Sequence, residues 1–167
     1  ISDLLTLVQM DAKNMKLSRE NMSLAAVVKE CAHLLSPMSE KRGQRVSLSL
    51  QDACDMYADK TKLQQVVYNL MDNAVKYTQQ GGQITVTAQA VGDDVQICVA
   101  DSGPGIPKDE QRRVFERFYK ADRARSRGGT GLGLAIARHI VEGHGGQLSL
   151  QSTPGQGATF CFTVPRA

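Results

Sequence analysis

The stretch "NLMDNAVKYT", residues 69–78, lies in the pattern that decides the fold of this 167-residue chain. It belongs to a helical segment that runs from about Asp59, in the position of an N-cap, to Tyr77. On a helical wheel the apolar residues of this segment form one continuous arc, which we expect to pack against a sheet. The stretch also holds two asparagines one turn apart, although asparagine is a weak helix former.

The polar residues of this helix cluster just beyond the edge of the apolar arc. Asn69, Asn73 and Lys76 fall within about 60° of one another on the wheel, and Tyr77 lies on the same side. One interpretation is a solvated helix edge. The other is chemical, because amide oxygens can bind a hard cation such as Mg²⁺ and the lysine can reach a phosphate.

The rest of the chain supplies a sheet for this helix. Residues 25–41 have a helical pattern, a short helix is predicted from about Pro107, and a glycine run leads into a third long helix. Strands are predicted at 44–51, 84–91, 95–101, 147–152 and 158–164. The second and third of these, and the last two, are expected to form hairpins. About three helices on one face of a mostly antiparallel sheet make an α+β sandwich.

The composition excludes several classes of protein. A chain with 41% hydrophobic and 22% charged residues is globular, and no apolar run reaches the roughly 18 residues of a membrane-spanning helix. The cysteines form no CxxC pair and the histidines no HExxH motif, which disfavours a zinc site. Cys98 and Cys161 lie within strand patterns, and we expect them to be core thiols in a reducing compartment.

The segment "DSGPGIP", residues 101–107, ends an apolar strand. A carboxylate at Asp101 can accept a hydrogen bond from an exocyclic amine such as that of adenine. Gly103 and Gly105 allow the backbone to approach a flat ligand. A Pro/Gly turn with a capping aspartate is the alternative interpretation.

A second glycine segment, "GGTGLGLAI" at residues 128–136, runs directly into a helix. Its backbone amides and the helix N-terminus can bind an anion, and a flexible hinge is the alternative. Neither glycine segment completes GxxxxGK[ST] or GxGxxG.

Positive charge is concentrated beside the second glycine segment. Residues 112–127 hold seven arginines and lysines against two acids, a net charge of +5, while the whole chain carries only +3. A polyphosphate would be attracted to this segment. Nucleic acid is the rival ligand, but no DNA- or RNA-binding motif is present.

Together these motifs resemble the catalytic ATP-binding domain of sensor histidine kinases, in a superfamily that also holds gyrase-type ATPases, heat-shock chaperones and mismatch-repair ATPases. "NLMDNAVKYT" is similar to the family's N box, "DSGPGIP" to its first glycine box, "FERFYKAD" to its F box and "GGTGLGLAI" to its second glycine box. The motifs occur in the family's order, across nearly the whole chain from about residue 20. The resemblance implies a Bergerat-type fold, with ATP held between helices and a mobile lid at residues 107–130.

The resemblance also assigns roles to residues. Asn73 would coordinate Mg²⁺ with Asn69 beside it, Lys76 would contact phosphate, and Tyr77 would cover the adenine whose amine Asp101 accepts from. The implied nucleotide-binding residues are Asn73, Lys76, Tyr77, Asp101, Gly103, Gly105, Ile106, Phe118, Arg127, Gly129, Thr130, Gly131, Leu132 and Gly133. The implied catalytic residues are Asn69, Asn73, Lys76 and Lys120, and the implied metal ligands are Asn69 and Asn73.

The lid contributes further residues in this resemblance. Phe115 and Phe118 would pin it to the domain. Lys120 stands where many relatives carry an arginine, so Arg123, Arg125 and Arg127 are candidates to share its role at the γ-phosphate.

Two features favour phosphoryl transfer over hydrolysis. Hydrolytic members of the superfamily carry a glutamate, the base for attacking water, at the position that matches Asn69, and an amide cannot act as that base. Phosphoryl transfer instead relies on positioning and charge stabilisation. In the family an acidic residue follows the phosphoacceptor histidine, whereas here Leu follows His33, Ile follows His139 and Gly follows His144. The acceptor is therefore expected on an upstream helix outside this chain.

The resemblance implies a domain division and a set of partners. Residues 1–20 would end the dimerisation hairpin helix, and 21–167 would form the catalytic ATP-binding domain. The expected partners are ATP with Mg²⁺, the histidine-bearing dimerisation helix and the receiver domain of a response regulator, and no nucleic acid. The parent would be a homodimer and this fragment a monomer, in the cytoplasmic portion of a membrane-anchored sensor.

Three alternatives remain at this point. The chain could be a superfamily member that only hydrolyses ATP or uses it as a regulatory switch. It could be a serine/threonine kinase of the same superfamily. It could be a non-enzymatic nucleic-acid binder that uses the basic segment.

Overall fold

A computed structural model describes residues 16–51, 54–116 and 133–166 of the chain. The elements along these residues are β1 (Glu20–Ser23), α1 (Leu24–Lys41), β2 (Arg45–Leu50), β3 (Asp55–Ala58), α2 (Lys60–Tyr77), β4 (Gln83–Val91), β5 (Asp94–Asp101), α3 (Lys108–Gln111), α4 (Gly133–Gly143), β6 (Gln147–Ser152) and β7 (Ala158–Pro165). Within these residues no helix is both long enough and apolar enough to span a membrane.

The main sheet has five strands in the order β2-β4-β5-β7-β6. β2 pairs with β4 in parallel, and the other pairings in this sheet are antiparallel. The two predicted hairpins are β4–β5 and β6–β7. This arrangement confirms the mixed, mostly antiparallel sheet of an α+β fold.

Helices α1, α2 and α4 pack on one face of the sheet. α2 begins at the predicted N-cap, where Asp59 Oδ1 accepts a hydrogen bond from the backbone N–H of Lys62 at 3.1 Å. Its apolar arc is buried as predicted. The buried residues of α2 are Leu63, Val66, Val67, Leu70, Met71, Ala74 and Val75. The short helix predicted from about Pro107 is α3, which has four residues.

Alternation along the strands selects the residues that face the helices. Ile97 and Val99 of β5 and Phe160 and Phe162 of β7 are buried in this core. The edge strand β2 is covered less well, and Leu48 is 37% exposed. The middle of the β5–β7 pairing therefore lies in the core that the helices cover.

The same alternation overturns the prediction for two cysteines. Cys98 and Cys161 are register partners on β5 and β7, half-buried on the face opposite Ile97 and Phe162, and are joined by a disulfide with a Cα–Cα distance of 4.1 Å. The prediction that they are core thiols was wrong, because one position along a strand moves a side chain to the other face.

A two-stranded sheet outside the main sheet was not predicted. β1 pairs with β3 in antiparallel fashion, with Glu20 opposite Ala58 and Ser23 opposite Asp55. β1 has four residues, "ENMS", and shows no apolar alternation that would indicate a strand.

Candidate functional site

One edge of α2 carries the polar side chains that the sequence singled out. Asn69, Asn73, Lys76 and Tyr77 are all half-buried, at the boundary between the core and solvent. Asn69, at one end of this edge, contacts the second glycine segment, and Tyr77, at the other end, contacts the first. We call this edge, with the glycine segments at its two ends, the α2 rim.

The second glycine segment meets the α2 rim at Asn69. The Asn69 Nδ2 donates a hydrogen bond to the carbonyl oxygen of Gly133 at 3.1 Å. A Cβ atom at Gly133 would lie 3.9 Å from Asn69 Cγ, so the first residue of α4 packs directly on the amide. The start of α4 is therefore fixed against the middle of α2.

The first glycine segment meets the other end of the α2 rim at Tyr77. A Cβ atom at Gly103 would lie 3.1 Å from the Tyr77 carbonyl oxygen and 2.9 Å from Asp101 Oδ1. Real Cβ atoms are rarely this close to other atoms, so a side chain at this position would push the loop away from α2. Gly103 thus brings the end of β5 next to the end of the helix. Asn73 lies between the two contacts, one turn from each.

The Asp101 carboxylate is held by the backbone of two neighbouring segments. Its Oδ1 accepts hydrogen bonds from Gly103 N at 2.9 Å and from Ala158 N at 3.3 Å. These two bonds fix the direction of the carboxylate at the end of β5. A carboxylate held in this way is preorganised to recognise a ligand donor.

The remainder of the first glycine segment packs on the turn between β6 and β7. Gly105 has a φ of +74°, and a Cβ atom there would lie 2.5 Å from the Thr153 carbonyl oxygen. Ile106 is 5% exposed, and its backbone N–H donates to Ser152 Oγ at 2.7 Å. Glycine is required at 105 for both its backbone conformation and its contact with this turn.

The ammonium group on the rim is already paired with an acid. Lys76 Nζ lies 3.0 Å from Asp72 Oδ2, one turn earlier on α2, and the two side chains are 35% and 20% exposed. Partial burial lowers the pKa of Lys76, but the hydrogen bond and charge of Asp72 outweigh it, so the pKa is raised above its usual value. Lys76 is therefore fully charged at neutral pH.

Two residues that the sequence did not single out hold the C-terminal end of α2. Arg42 Nη2 donates to the Thr78 carbonyl oxygen at 2.9 Å, and Gln44 Nε2 donates to the same oxygen at 2.9 Å and to that of Val75 at 3.0 Å. These bonds satisfy carbonyl groups that a helix end leaves without a partner. They fix the last turn of α2, on which Lys76 and Tyr77 lie.

Several predicted residues lie outside the described part of the chain, and their roles stay predictions. They are Phe118, Lys120, Arg123, Arg125, Arg127, Gly129, Thr130, Gly131 and Leu132. Phe115, at the described edge of the predicted lid, packs edge-to-face on Phe160 with ring centroids 6.0 Å apart. The Arg138 guanidinium lies 5.8 Å from the centroid of the Phe115 ring.

Comparison with known proteins places this chain in a family. Residues 58–167 match the family described as histidine kinase-, DNA gyrase B-, and HSP90-like ATPase. The sensor histidine kinase WalK of Bacillus subtilis (strain 168) is 38% identical over an alignment 173 residues long, gaps included. The alignment covers 99% of this chain and 28% of WalK.

Two solved structures share the fold. Full-length ShkA in complex with AMPPNP has a TM-score of 0.90 at 32% identity, covering 99% of this chain and 35% of ShkA. The histidine kinase ThkA in complex with the response regulator protein TrrA has a TM-score of 0.81 at 25% identity, covering 98% of this chain and 46% of ThkA.

The family match, these relatives and the shared fold show that this is an ATP-binding domain of the histidine kinase catalytic type. The chain belongs to the histidine kinase-, DNA gyrase B-, and HSP90-like ATPase family. It spans about a third of the length of the curated relatives it matches. The share is 36% of the adaptive-response sensory kinase SasA of Crocosphaera subtropica and 28% of WalK.

Proposed function

We propose that this chain binds Mg-ATP along the α2 rim and transfers the γ-phosphoryl group to a histidine on an upstream dimerisation helix. The observation that carries the proposal is that α2 joins both glycine segments, through Asn69 to Gly133 and through Tyr77 to Gly103. One ligand lying along the rim can therefore touch both segments at once. ATP has the required form, with a flat base at one end and an anionic chain at the other.

The base lies at the Tyr77 end of the rim in this proposal. Asp101 accepts a hydrogen bond from the exocyclic amine, since Gly103 N and Ala158 N already fix the direction of its carboxylate. Ile106 and Gly105 form the floor beneath the ring, and Tyr77 covers it.

The phosphates lie toward Gly133 and the N-terminus of α4. The exposed amides of a helix start favour an anion there, and the seven basic residues of 112–127 add positive charge. Lys76 contacts a phosphate oxygen, and Lys120 with the glycines of 129–133 completes the cradle.

The residues present fit a magnesium ion. In the described part of the chain no group of three or more His, Cys, Asp or Glu residues could hold a metal. Asn69 and Asn73 would hold the ion, because Mg²⁺ accepts one or two protein oxygens when phosphate oxygens and water complete its octahedron. The bound ion would neutralise developing charge on the phosphates. Asn69 and Asn73 themselves fix where the phosphate chain lies.

The acceptor histidine lies on a separate segment in this proposal. His33 is exposed on α1, far along the chain from the rim, and His144 is 5% exposed with both ring nitrogens engaged by Asp59 N and Ile140 O. We assign the residues before β1 to the end of the dimerisation hairpin and the chain from β1 onward to the catalytic domain, because Glu20 already pairs with Ala58 of β3.

The wider setting follows from the same proposal. The parent is a homodimeric, membrane-anchored sensor with this domain in the cytoplasm, and the isolated chain is a monomer. The next acceptor is the receiver domain of a response regulator, the kind of protein bound to the relative ThkA.

The test combines γ-labelled ATP, this chain and the parent's upstream hairpin as a separate polypeptide. We expect acid-labile label on the hairpin, none on the chain, and weak transfer because the tether's effective concentration is lost. Asn73→Ala should abolish transfer. Gln64→Ala is the control, because the backbone carbonyl oxygen of Gln64 accepts from Cys31 Sγ of α1, which places this residue on the side of α2 that faces α1, and the variant should transfer normally.

Other outcomes favour the alternatives. Acid-stable phosphate on the hairpin, or robust label on the chain alone, would favour a serine/threonine kinase. Rapid phosphate release that ignores the hairpin would favour an ATP-hydrolysing member. Salt-sensitive binding of an oligonucleotide without binding of Mg-ATP would overturn the proposal.

A further inference from the structure

The turn between β6 and β7 holds the first glycine segment at several points. Ile106 N donates to Ser152 Oγ at 2.7 Å, and Gly155 N donates to the Pro104 carbonyl oxygen at 2.6 Å. The missing Cβ of Gly105 leaves room for the Thr153 carbonyl oxygen. The floor of the proposed base site therefore takes its position from this turn.

Ser152 is the residue through which most of these contacts pass. Its hydroxyl accepts from Ile106 N and donates to the Gly157 carbonyl oxygen at 3.0 Å. Its own carbonyl oxygen accepts from Gln111 Nε2 at 3.1 Å, and the same Nε2 donates to the Ile106 carbonyl oxygen at 2.8 Å. Ser152 and Gln111 thus hold both backbone polar groups of Ile106.

Ser152 also lies in one row with the base-recognising carboxylate. It is the register partner of Ala158 across β6 and β7, and Ala158 is the register partner of Asp101 across β7 and β5. Ala158 N donates to Asp101 Oδ1. Three adjacent strands therefore set the distance between the Ile106 floor and the Asp101 carboxylate.

We propose that Ser152, supported by Gln111, is a positioning residue that sets adenine affinity and the choice of adenine over guanine. The inference rests on the proposed function and deepens it. Asn69, which contacts the phosphate end, lies eight residues from Tyr77 on α2, about 12 Å along the helix axis. A displaced Ile106 therefore changes recognition of the base and leaves the phosphate end in place.

The test compares Ser152→Ala with Ser149→Ala on the same strand. Ser149 is exposed, and its hydroxyl bonds only weakly to the Cys161 carbonyl oxygen at 3.4 Å. Calorimetry measures the Kd of each chain for Mg-ATP, Mg-GTP and Mg-tripolyphosphate, which lacks a base. Melting temperatures record whether each variant is folded.

We expect Ser152→Ala to weaken Mg-ATP binding about tenfold, because Ile106 N loses its acceptor and the Gly157 carbonyl its donor. The preference for ATP over GTP should fall with it, and tripolyphosphate binding should stay within about twofold of wild type. Ser149→Ala should match wild type for all three ligands. Gln111→Ala, which removes a half-buried side chain at the end of α3, should weaken ATP binding by a smaller factor in the same pattern.

Two results would overturn the inference. One is a folded Ser152→Ala or Gln111→Ala chain with wild-type affinity for ATP. The other is an equal loss of ATP and tripolyphosphate binding, which a merely structural role would produce. If Ser152→Ala fails to fold, Gln111→Ala decides. A wild-type chain that binds no Mg-ATP would overturn the proposed function and this inference with it, so the two failures are distinguishable.

Discussion

Asp101→Asn offers the most direct check on base recognition. In one orientation the asparagine oxygen accepts from Gly103 N and Ala158 N, as Oδ1 does now, and its NH₂ group then faces the amine of the base. In the flipped orientation the NH₂ group faces those two backbone N–H groups instead. Either orientation sets a donor against a donor, and a charge-assisted bond is lost.

These effects give a loss of about 2–4 kcal/mol in ATP binding, from an unpaired polar group and a charge-assisted hydrogen bond. The loss corresponds to a Kd about 30-fold to 1,000-fold higher. Calorimetry with Mg-ATP measures it directly. Asp93→Asn is the control, because this exposed residue in the β4–β5 turn undergoes the same change of charge. A folded Asp101→Asn chain whose Kd changes by less than threefold would remove Asp101 from the site.

Three further predictions concern other parts of the molecule. Burial lowers the pKa of His144 in the folded chain, so as the pH falls its imidazole takes up a proton in the unfolded chain first, and the unfolding free energy should fall below about pH 6.5. His144→Gln should remove this pH dependence in urea titrations at pH 7 and 5. Reduction of the Cys98–Cys161 disulfide should lower the unfolding free energy by about 2–4 kcal/mol, and a reductant that leaves the denaturation midpoint unchanged would contradict this. Asp72→Asn should raise Mg-ATP affinity by up to about fivefold, because Lys76 loses an ion-pair partner on the partly exposed edge of α2. Weaker binding in calorimetry would show instead that Asp72 helps to hold the ligand.

The helix that carries the site was predictable because its two faces differ in chemistry. The apolar arc fixed the direction of the core, and the cap at Asp59 fixed the start of α2. Once the arc is buried, Asn69 and Tyr77 must lie at its edge. The placement of both glycine segments was also predictable. Gly103 follows the apolar pattern of β5, and Gly133 lies at the start of the helical pattern of α4.

The residues that support the site were not predictable from local patterns. Ser152 ends a strand and Gln111 ends a short helix, and neither spacing nor composition distinguishes them from surface residues. Arg42 and Gln44 act on Thr78, more than thirty residues further along the chain. Such contacts depend on how β6, β7 and the α1–β2 connection are placed in three dimensions, which periodicity does not report.

Of the two asparagines on the α2 rim, Asn69 makes a contact that restricts which residue can occupy its position. The Asn69 Nδ2 must donate to the Gly133 carbonyl oxygen, and a glutamate at this position would face that oxygen with a negative charge. The residue that joins α2 to α4 is thus chemically incompatible with the base that hydrolytic members carry there. The amide that holds the end of the second glycine segment in place is, for the same reason, unable to activate water. In the proposed function, an amide in place of a carboxylate at this position holds Gly133 at the phosphate end and supplies no base to activate water, which would favour transfer over hydrolysis.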